Sequence, residues 1–269
     1  MADRDTELLG LAFDRMTMSA VVANCLEWCE AARTPHVVIT ANASHLCMMR
    51  RDPELRAACA SGDLIVADGM SVVWAARLAG VPVPERVAGV DLMARLLEAA
   101  SERRLRVYFL GARPEVVATL VERCAAKYPG LVLAGFRDGY FSAAEHGAIV
   151  DEIRRCSPHL LFVGMPSPFK ETFCERYRSR LDVPVMVGVG GSFDVHAGFI
   201  QRAPTWVQRA GLEWLWRLMM EPRKLWRRYL ATNSEFLWRV GPEIVARRLG
   251  RRRALPPDRS GRTDSRRAA

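Results

Sequence analysis

Residues 64–80, LIVADGMSVVWAARLAG, hold the switch that decides the fold. The four apolar residues Leu64 to Ala67 read as a short strand buried on both faces. Asp68 and Gly69 make a turn. From Met70 the apolar positions take helical spacing, and Gly80 closes the pattern. Strand, tight turn and helix in immediate succession form half of a β-α-β unit.

The same alternation runs through the chain. Apolar, β-branched runs at 36–40, 64–67, 106–110, 131–136, 159–163 and 184–189 predict strands. Helical patterns cover 16–32, a broken stretch over 43–60, then 70–79, 90–103, 114–127, 143–155 and 169–180. Pro114 stands where a helix would begin. Ser142 followed by Glu145 makes a capping box. The pattern predicts an α/β fold, a Rossmann-like and mostly parallel sheet with helices on both faces.

Ligands of such sheets bind beyond the carboxyl ends of the strands. The polar residues that follow the strands are therefore the candidates. They are Thr40 and Asn42, then Asp68 and Gly69, Gly111 and Arg113, and Asp138 with Gly139 and Tyr140. The segments 164–171, with Lys170 and Glu171, and 188–194, with Gly190, Gly191 and Asp194, complete the rim. Arg86, Gly89 and Asp91 in ERVAGVDL suit a substrate-facing loop, with Asp91 equally readable as a helix cap.

Asp68 has two readings from its own segment. It is an N-cap aspartate, the commoner role at this position, or a general base at the rim. Thr40 and Asn42 suit sugar hydroxyls or an acetamido group, or else ordinary turn chemistry. Residues 188–194, GVGGSFD, resemble a backbone cradle for phosphate. The first strand is followed by TANAS rather than G-x-G-x-x-G, and there is no Walker A lysine. A standard NAD enzyme and a P-loop NTPase are both disfavoured.

Charge sets the last quarter apart. The net charge is +9, yet residues 202–269 hold 17 Arg and Lys against 6 Asp and Glu, so the rest is slightly acidic. Five of the seven tryptophans, at 206, 214, 216, 226 and 238, lie in that basic quarter. Arg with Trp suits an anionic membrane surface. The alternative is a helical hairpin with Trp packed inward and Arg solvated. Residues 1–204 are expected to form the core, 205–250 an Arg/Trp-rich appendage with helices over 206–219 and 221–238 separated or kinked near Pro222, and 251–269 a disordered basic tail. On a continuous helix Arg217, Lys224, Arg227 and Arg228 would share one broad face able to neutralise a diphosphate.

The seven cysteines are scattered in apolar contexts without a C-x-x-C pair and read as reduced core residues. No metal site is expected, because the D-x-D at residues 3–5 sits at a terminus and not after a strand. The charged N-terminus lacks the apolar run of a signal peptide. No stretch is long and apolar enough to span a bilayer. A membrane-bound form would be peripheral.

Together, the segments TANASHL, ADGMSVVWAARLAG with ERVAGVDL, YFLGARPEV, DGYF, VGMPSPFKE, GVGGSFDVHAG and RAPTWVQRAGLEWLWRLMMEPRKLWRRYL resemble the WecG/TagA/CpsF family of bacterial glycosyltransferases (glycosyltransferase family 26). The resemblance spans roughly residues 8–235. It implies an inverting hexosyltransferase with a UDP-sugar donor, N-acetylmannosamine or its uronic acid. The implied acceptor is a sugar on undecaprenyl diphosphate, in teichoic acid or surface polysaccharide synthesis. The base then falls on Asp68, sugar contacts on Thr40 and Asn42, and diphosphate contacts on Arg217, Lys224 and Arg227. Turnover would need no cofactor and no metal. The protein would act on the cytoplasmic face of the membrane.

One departure stands out. The family's usual P-K-Q-E is here Pro168-Phe169-Lys170-Glu171, which bears on donor choice. A glucosyl or glucuronosyl transferase of exopolysaccharide assembly is the rival within enzymes. A non-catalytic nucleotide- or nucleic-acid-binding module is the rival outside them, although the resemblance implies no nucleic-acid partner. A homo-oligomer through an apolar interface in the appendage stays open.

Overall fold

The computed structural model describes residues 7–249 apart from Ala32 and Glu221. The side chains of Arg209, Lys224, Leu225 and residues 227–230 also lie outside the described set, as does the basic tail expected at 251–269. An antiparallel hairpin, β1 (Glu7–Leu8) and β2 (Leu11–Ala12), precedes α1 (Met18–Glu30). Then come β3 (His36–Ala41), α2 (Ala43–Met48), α3 (Pro53–Ala60), β4 (Leu64–Ala67) and α4 (Met70–Leu78). Next are α5 (Gly89–Glu102), β5 (Arg106–Gly111), α6 (Pro114–Lys127) and β6 (Val132–Arg137). A 3-10 turn over Ala143–Glu145 leads into α7 (His146–Cys156), β7 (Leu160–Gly164), α8 (Phe169–Leu181) and β8 (Val185–Gly188). The chain continues through α9 (Ser192–His196), α10 (Thr205–Arg209), α11 (Glu213–Met220) and α12 (Pro222–Arg248).

The main sheet has six strands in the order β4-β3-β8-β7-β5-β6. Every neighbouring pair is parallel. Successive strand side chains point to opposite faces, and the core divides accordingly. Val37, Ile39 and Ala41 of β3 pack with Leu46, Leu55, Val72, Ile153 and Phe173 on one face. Val38 of the same strand packs with Val21, Leu92, Leu96, Val116 and Leu120 on the other. Both faces are covered over β3, β4, β5, β7 and β8, which is why those strands read as unbroken apolar runs, whereas edge strand β6 leaves Leu133 and Phe136 exposed.

The predicted strands and most predicted helices match to within a residue or two. The Ser142 capping box forms, with the Ser142 N–H donating to Glu145 at 2.8 Å. Three features differ. The β1–β2 hairpin is too short for a periodic signal; Leu9 and Gly10 form its two-residue turn, both at positive φ. The stretch 206–219 is two helices, α10 and α11, parted at Gly211, whose φ is +70°. Finally, α12 runs ten residues beyond the expected end at 238, and Pro222 begins it where a missing N–H costs nothing.

The C-terminal helices are tied into the body. Phe236 and Val240 of α12 are buried in the same cluster as the sheet. Leu9 N–H donates to Glu243 at 3.1 Å, and Arg247 donates to Glu7 O at 2.6 Å, so the N-terminal hairpin clasps α12. All seven cysteines are free thiols, and six are buried. Burial pushes Cys47, Cys59 and Cys124 up to about 11 and Cys29 and Cys174 up to about 12. That fits the expected reduced, unreactive core residues.

Candidate active site

Asp68 leaves β4 at the carboxyl rim, its N–H held by Ala41 O at 2.8 Å. The cap of α4 is Gly69, at φ +110°, and no side chain caps that helix. The N-cap reading of Asp68 therefore fails. Its half-buried carboxylate instead accepts from Gly89 N–H at 3.4 Å. Loss of solvent pushes its pKa up to about 6, against the opposing pull of Arg86, the Gly89 N–H and Arg217. Glu213 adds to the rise. A carboxylate poised there can accept a proton near neutral pH.

Thr40 and the glycine turn frame this carboxylate. Thr40 Oγ1 donates to Gly188 O at 3.1 Å, stitching β3 to β8 at the rim. A Cβ on Gly89 would lie 3.4 Å from Thr40 Oγ1, 3.7 Å from Val189 Cα and 3.8 Å from Asp68 Oδ2, so the four residues converge. Gly190 takes φ +53° in the turn. The N–H groups of Val189 and Gly190 both go to Val163 O, and that of Ser192 goes to Val189 O. Gly191 alone in residues 189–192 keeps an N–H without an acceptor among the described residues. The turn expected to cradle phosphate is thus largely satisfied internally. Arg217 sits over it, its Nη2 3.3 Å from where a Gly191 Cβ would stand.

Asn42 is committed to local structure. Its Oδ1 accepts from Ser44 N–H at 2.9 Å and His45 N–H at 3.3 Å, capping α2. His45 reciprocates, its Nδ1 accepting from Asn42 N–H at 3.2 Å. That leaves the proton on Nε2, which donates to Glu171 Oε1 at 2.6 Å. Burial, then Lys170, holds the His45 pKa well below its ordinary value. Ser167 Oγ donates to the same carboxylate at 2.9 Å. Lys170 pairs with Glu171 and reaches Ser167 Oγ at 3.0 Å. Burial lowers the Lys170 pKa to about 8.

This buried cluster accounts for the Phe169-Lys170 departure. Phe169 stacks on Phe173 at 5.4 Å and meets Phe141 and His146 edge-on. Lys170, 5% exposed, lies with its Cδ 3.1 Å from where a Gly188 Cβ would stand. Lys170 is absorbed in packing beneath the turn, and Phe169 in an aromatic cluster with Phe141, His146 and Phe173. His45 and Ser167 were missed in the sequence, although both lie in the segments TANASHL and VGMPSPFKE that carry the family resemblance.

Arg86 and Asp91 are not free to face solvent. Arg86 donates to Glu213 at 2.7 Å and lies 3.5 Å from Asp91. Arg202 donates to Asp91 at 2.6 Å and lies 3.9 Å from Glu213. Arg202 and Glu213, from the RAP and GLEW segments, are further residues the sequence reading gave no role.

The remaining candidates lie along the rim. Gly111 ends β5 at φ +128°, and a Cβ there would meet the Gly164 carbonyl carbon at 2.6 Å. That close approach requires glycine. Asp194, in α9, is half-buried with no ion pair among the described residues. Tyr140, after β6, is 72% exposed. Arg217 and the backbone of Lys224 and Arg227 fall on different helices, because α11 ends at Met220 and α12 begins at Pro222. The continuous helix assumed for that cationic face is therefore interrupted; the side chains of Lys224 and Arg227 lie outside the described residues.

A doubly wound sheet with a basic-shifted carboxylate beside arginines at its rim is the arrangement of a group-transfer enzyme acting on an anionic substrate. The glycosyl transferase WecG/TagA/CpsF family model matches residues 6–253, and the chain belongs to that family. It is a glycosyltransferase. Among its relatives is an N-acetylglucosaminyldiphosphoundecaprenol N-acetyl-beta-D-mannosaminyltransferase of Bacillus spizizenii, 38% identical over 194 residues. That match covers 72% of this chain and 74% of the relative. A protein of the same description from Bacillus subtilis is 35% identical over 171 residues, covering 64% and 66%.

Proposed function

We propose that the protein is an inverting transferase that moves an N-acetylmannosaminyl group, or its uronic acid, from a UDP-sugar to a polyprenyl-diphosphate-linked sugar. The observation that carries this reading is Asp68, a half-buried carboxylate at the rim whose pKa is raised to about 6. The two Bacillus relatives, by their description, transfer N-acetylmannosamine to such a lipid-linked acceptor.

Asp68 takes the proton of the acceptor hydroxyl as that oxygen bonds to the anomeric carbon. The bond from that carbon to the diphosphate oxygen breaks on the opposite face, and UDP carries off the electron pair. Arg217 and the free N–H of Gly191 stabilise the developing charge, with Lys224 and Arg227 assigned to the same task. Thr40, Asp194 and the amide NH2 of Asn42, whose oxygen is held by α2, contact sugar or nucleoside. Gly111 and Gly190 let backbone approach the substrate. Arg86, Asp91, Lys170 and Glu171 act on it through their neighbours.

Turnover is assigned to these cations rather than to a divalent ion. Among the described residues no three His, Cys, Asp or Glu side chains gather into a metal-binding group. Full activity in EDTA supports this; loss restored by Mn²⁺ or Mg²⁺ contradicts it.

The appendage is read as the membrane-facing element. No described helix is long and apolar enough to cross a membrane. Trp206 is 68% exposed and Trp238 79%, and Trp214, Trp226, Met219 and Met220 are exposed as well. Aromatic rings beside arginines favour an anionic headgroup layer. The face involved is assigned as cytoplasmic, where nucleotide sugars are made. A donor screen tests the whole reading: a GlcNAc-diphosphate lipid is mixed with a panel of UDP-sugars and UDP release is measured. Release with UDP-N-acetylmannosamine or its uronic acid supports it. Release only with UDP-glucose or UDP-glucuronate shifts the donor, and none with any donor counts against the acceptor.

A further inference from the structure

We propose that Glu213 and Arg202 are positioning residues of the transfer reaction: with Arg86 and Asp91 they form an ion-pair ring that seats α11 on the strand rim and so places Arg217 over the glycine turn. The proposal rests on the reading of Arg217 as a leaving-group cation. Its four members come from separated segments: Arg86 before α5, Asp91 in the first turn of α5, Arg202 before α10, and Glu213 at the first position of α11. Their side chains are between 14% and 34% exposed. An isolated exposed pair fixes little, because two long side chains must be held against solvent. Four alternating charges, each flanked by two of opposite sign and half out of water, fix one geometry far better.

The ring sets where α11 lies on the rim, because the helix otherwise packs mainly against its neighbour α12 rather than against the strands. No side chain of that helix is buried. Leu215, Met219 and Met220 face outward. The preceding turn touches the body where Gly211 meets Trp74, and Trp216 Nε1 donates to Gln201 O at 3.3 Å. Glu213 is therefore the charged anchor that ties the helix to the segment before α5. Arg217 follows it by four residues, on the same face, and reaches the Gly191 turn. The other end of the ring, Asp91, belongs to the helix start whose Gly89 N–H reaches Asp68. One ring thus connects the cation on the leaving group to the base on the acceptor.

The charges around Asp68 give the ring a signature that packing alone lacks. Arg86 from the loop before α5, Arg217 from α11, Arg202 before α10 and Lys170 from α8 favour the ionised carboxylate, and Glu213 opposes it. Removing the Glu213 charge moves the acidic limb of activity to lower pH, whereas removing that of Arg202 moves it to higher pH.

The test compares Glu213→Gln, Arg217→Gln and the double variant, all in the full chain. It reads kcat, the pH profile and hydrogen exchange of residues 205–220. Glu213→Gln should lower kcat about tenfold, the scale of a small misplacement. It should also speed exchange in 205–220 while leaving the sheet protected, and Glu213→Asp should restore part of both. In the Arg217→Gln background the same change should cost less than about twofold, since both act through one group. Multiplicative losses, or unchanged exchange in 205–220, overturn the proposal. If Arg217→Gln alone keeps wild-type turnover, the leaving-group reading fails, and the exchange result still decides whether the ring seats α11.

Discussion

At the scale of single residues, the burial of Asp68 makes two predictions. As a base it must be ionised, so kcat/KM should rise with pH through about 6 and then level. A flat profile from pH 5 to 8 would contradict that. Asp68→Asn should cut kcat by at least about a hundredfold. The same change should not weaken the fold. A carboxyl whose folded pKa lies above its unfolded value is most favourable to folding at low pH, and loses that advantage as pH rises through about 6. At pH 7.5 the amide removes a charge the fold disfavours, so the variant should melt at the same temperature as wild type or higher. Gly111 makes the opposite case, of a residue fixed by space. Gly111→Ala meets both a positive φ and the Gly164 backbone, and should destabilise by on the order of 2–4 kcal/mol in chemical denaturation. The sequence showed that Asp68 follows a strand, but its two roles differ only in where the carboxylate points. That direction depends on Gly89, 21 residues away. Asn42 went the other way: it sits at the rim as expected, but its oxygen caps α2 through a short-range bond.

At the scale of elements, the strands were legible because each is apolar on both sides, and the turns after them because Asp, Gly and Asn cluster there. The β1–β2 hairpin was not, being two residues per strand. Nor was the length of α12. Its far half is amphipathic against the hairpin, α2 and α4, with Phe236 and Val240 inward and Leu237 and Trp238 outward. Phe236→Ala should therefore cost about 3–5 kcal/mol, the usual range for a buried phenylalanine. It should also expose α12 to limited proteolysis before the sheet; cleavage no faster than wild type would show that the helix is held elsewhere. The buried pair beneath the turn is similarly hidden from sequence. Nothing in SPFKE indicates that Lys170 and Glu171 point inward, because the partner, His45, lies on α2. Glu171→Ala should cost about 3–5 kcal/mol, since it strands Lys170 in the interior. Lys170→Met with Glu171→Leu should recover much of that loss, which thermal melts of the three variants would check.

At the scale of the whole molecule, the near-neutral body carries the rim and the basic C-terminal quarter carries outward-facing tryptophans. That division predicts binding to vesicles with anionic lipid, weaker at high salt. It also predicts that Trp206→Ser with Trp238→Ser reduces the bound fraction without changing turnover on a short-chain soluble acceptor. Composition revealed the charge division, and the sequence left open whether the tryptophans pack inward. The structure turns four of the five outward, and Trp216 is half-buried with its ring N–H on Gln201 O. Asp68 is assigned to activate a lipid-linked acceptor for attack on a UDP-sugar. The most direct test of that role is acceptor-dependent UDP release from UDP-N-acetylmannosamine with a GlcNAc-diphosphate lipid, in EDTA, by wild type and Asp68→Asn. The account predicts release by wild type only when acceptor is present, and almost none by the folded variant. Release by Asp68→Asn near the wild-type rate would contradict it.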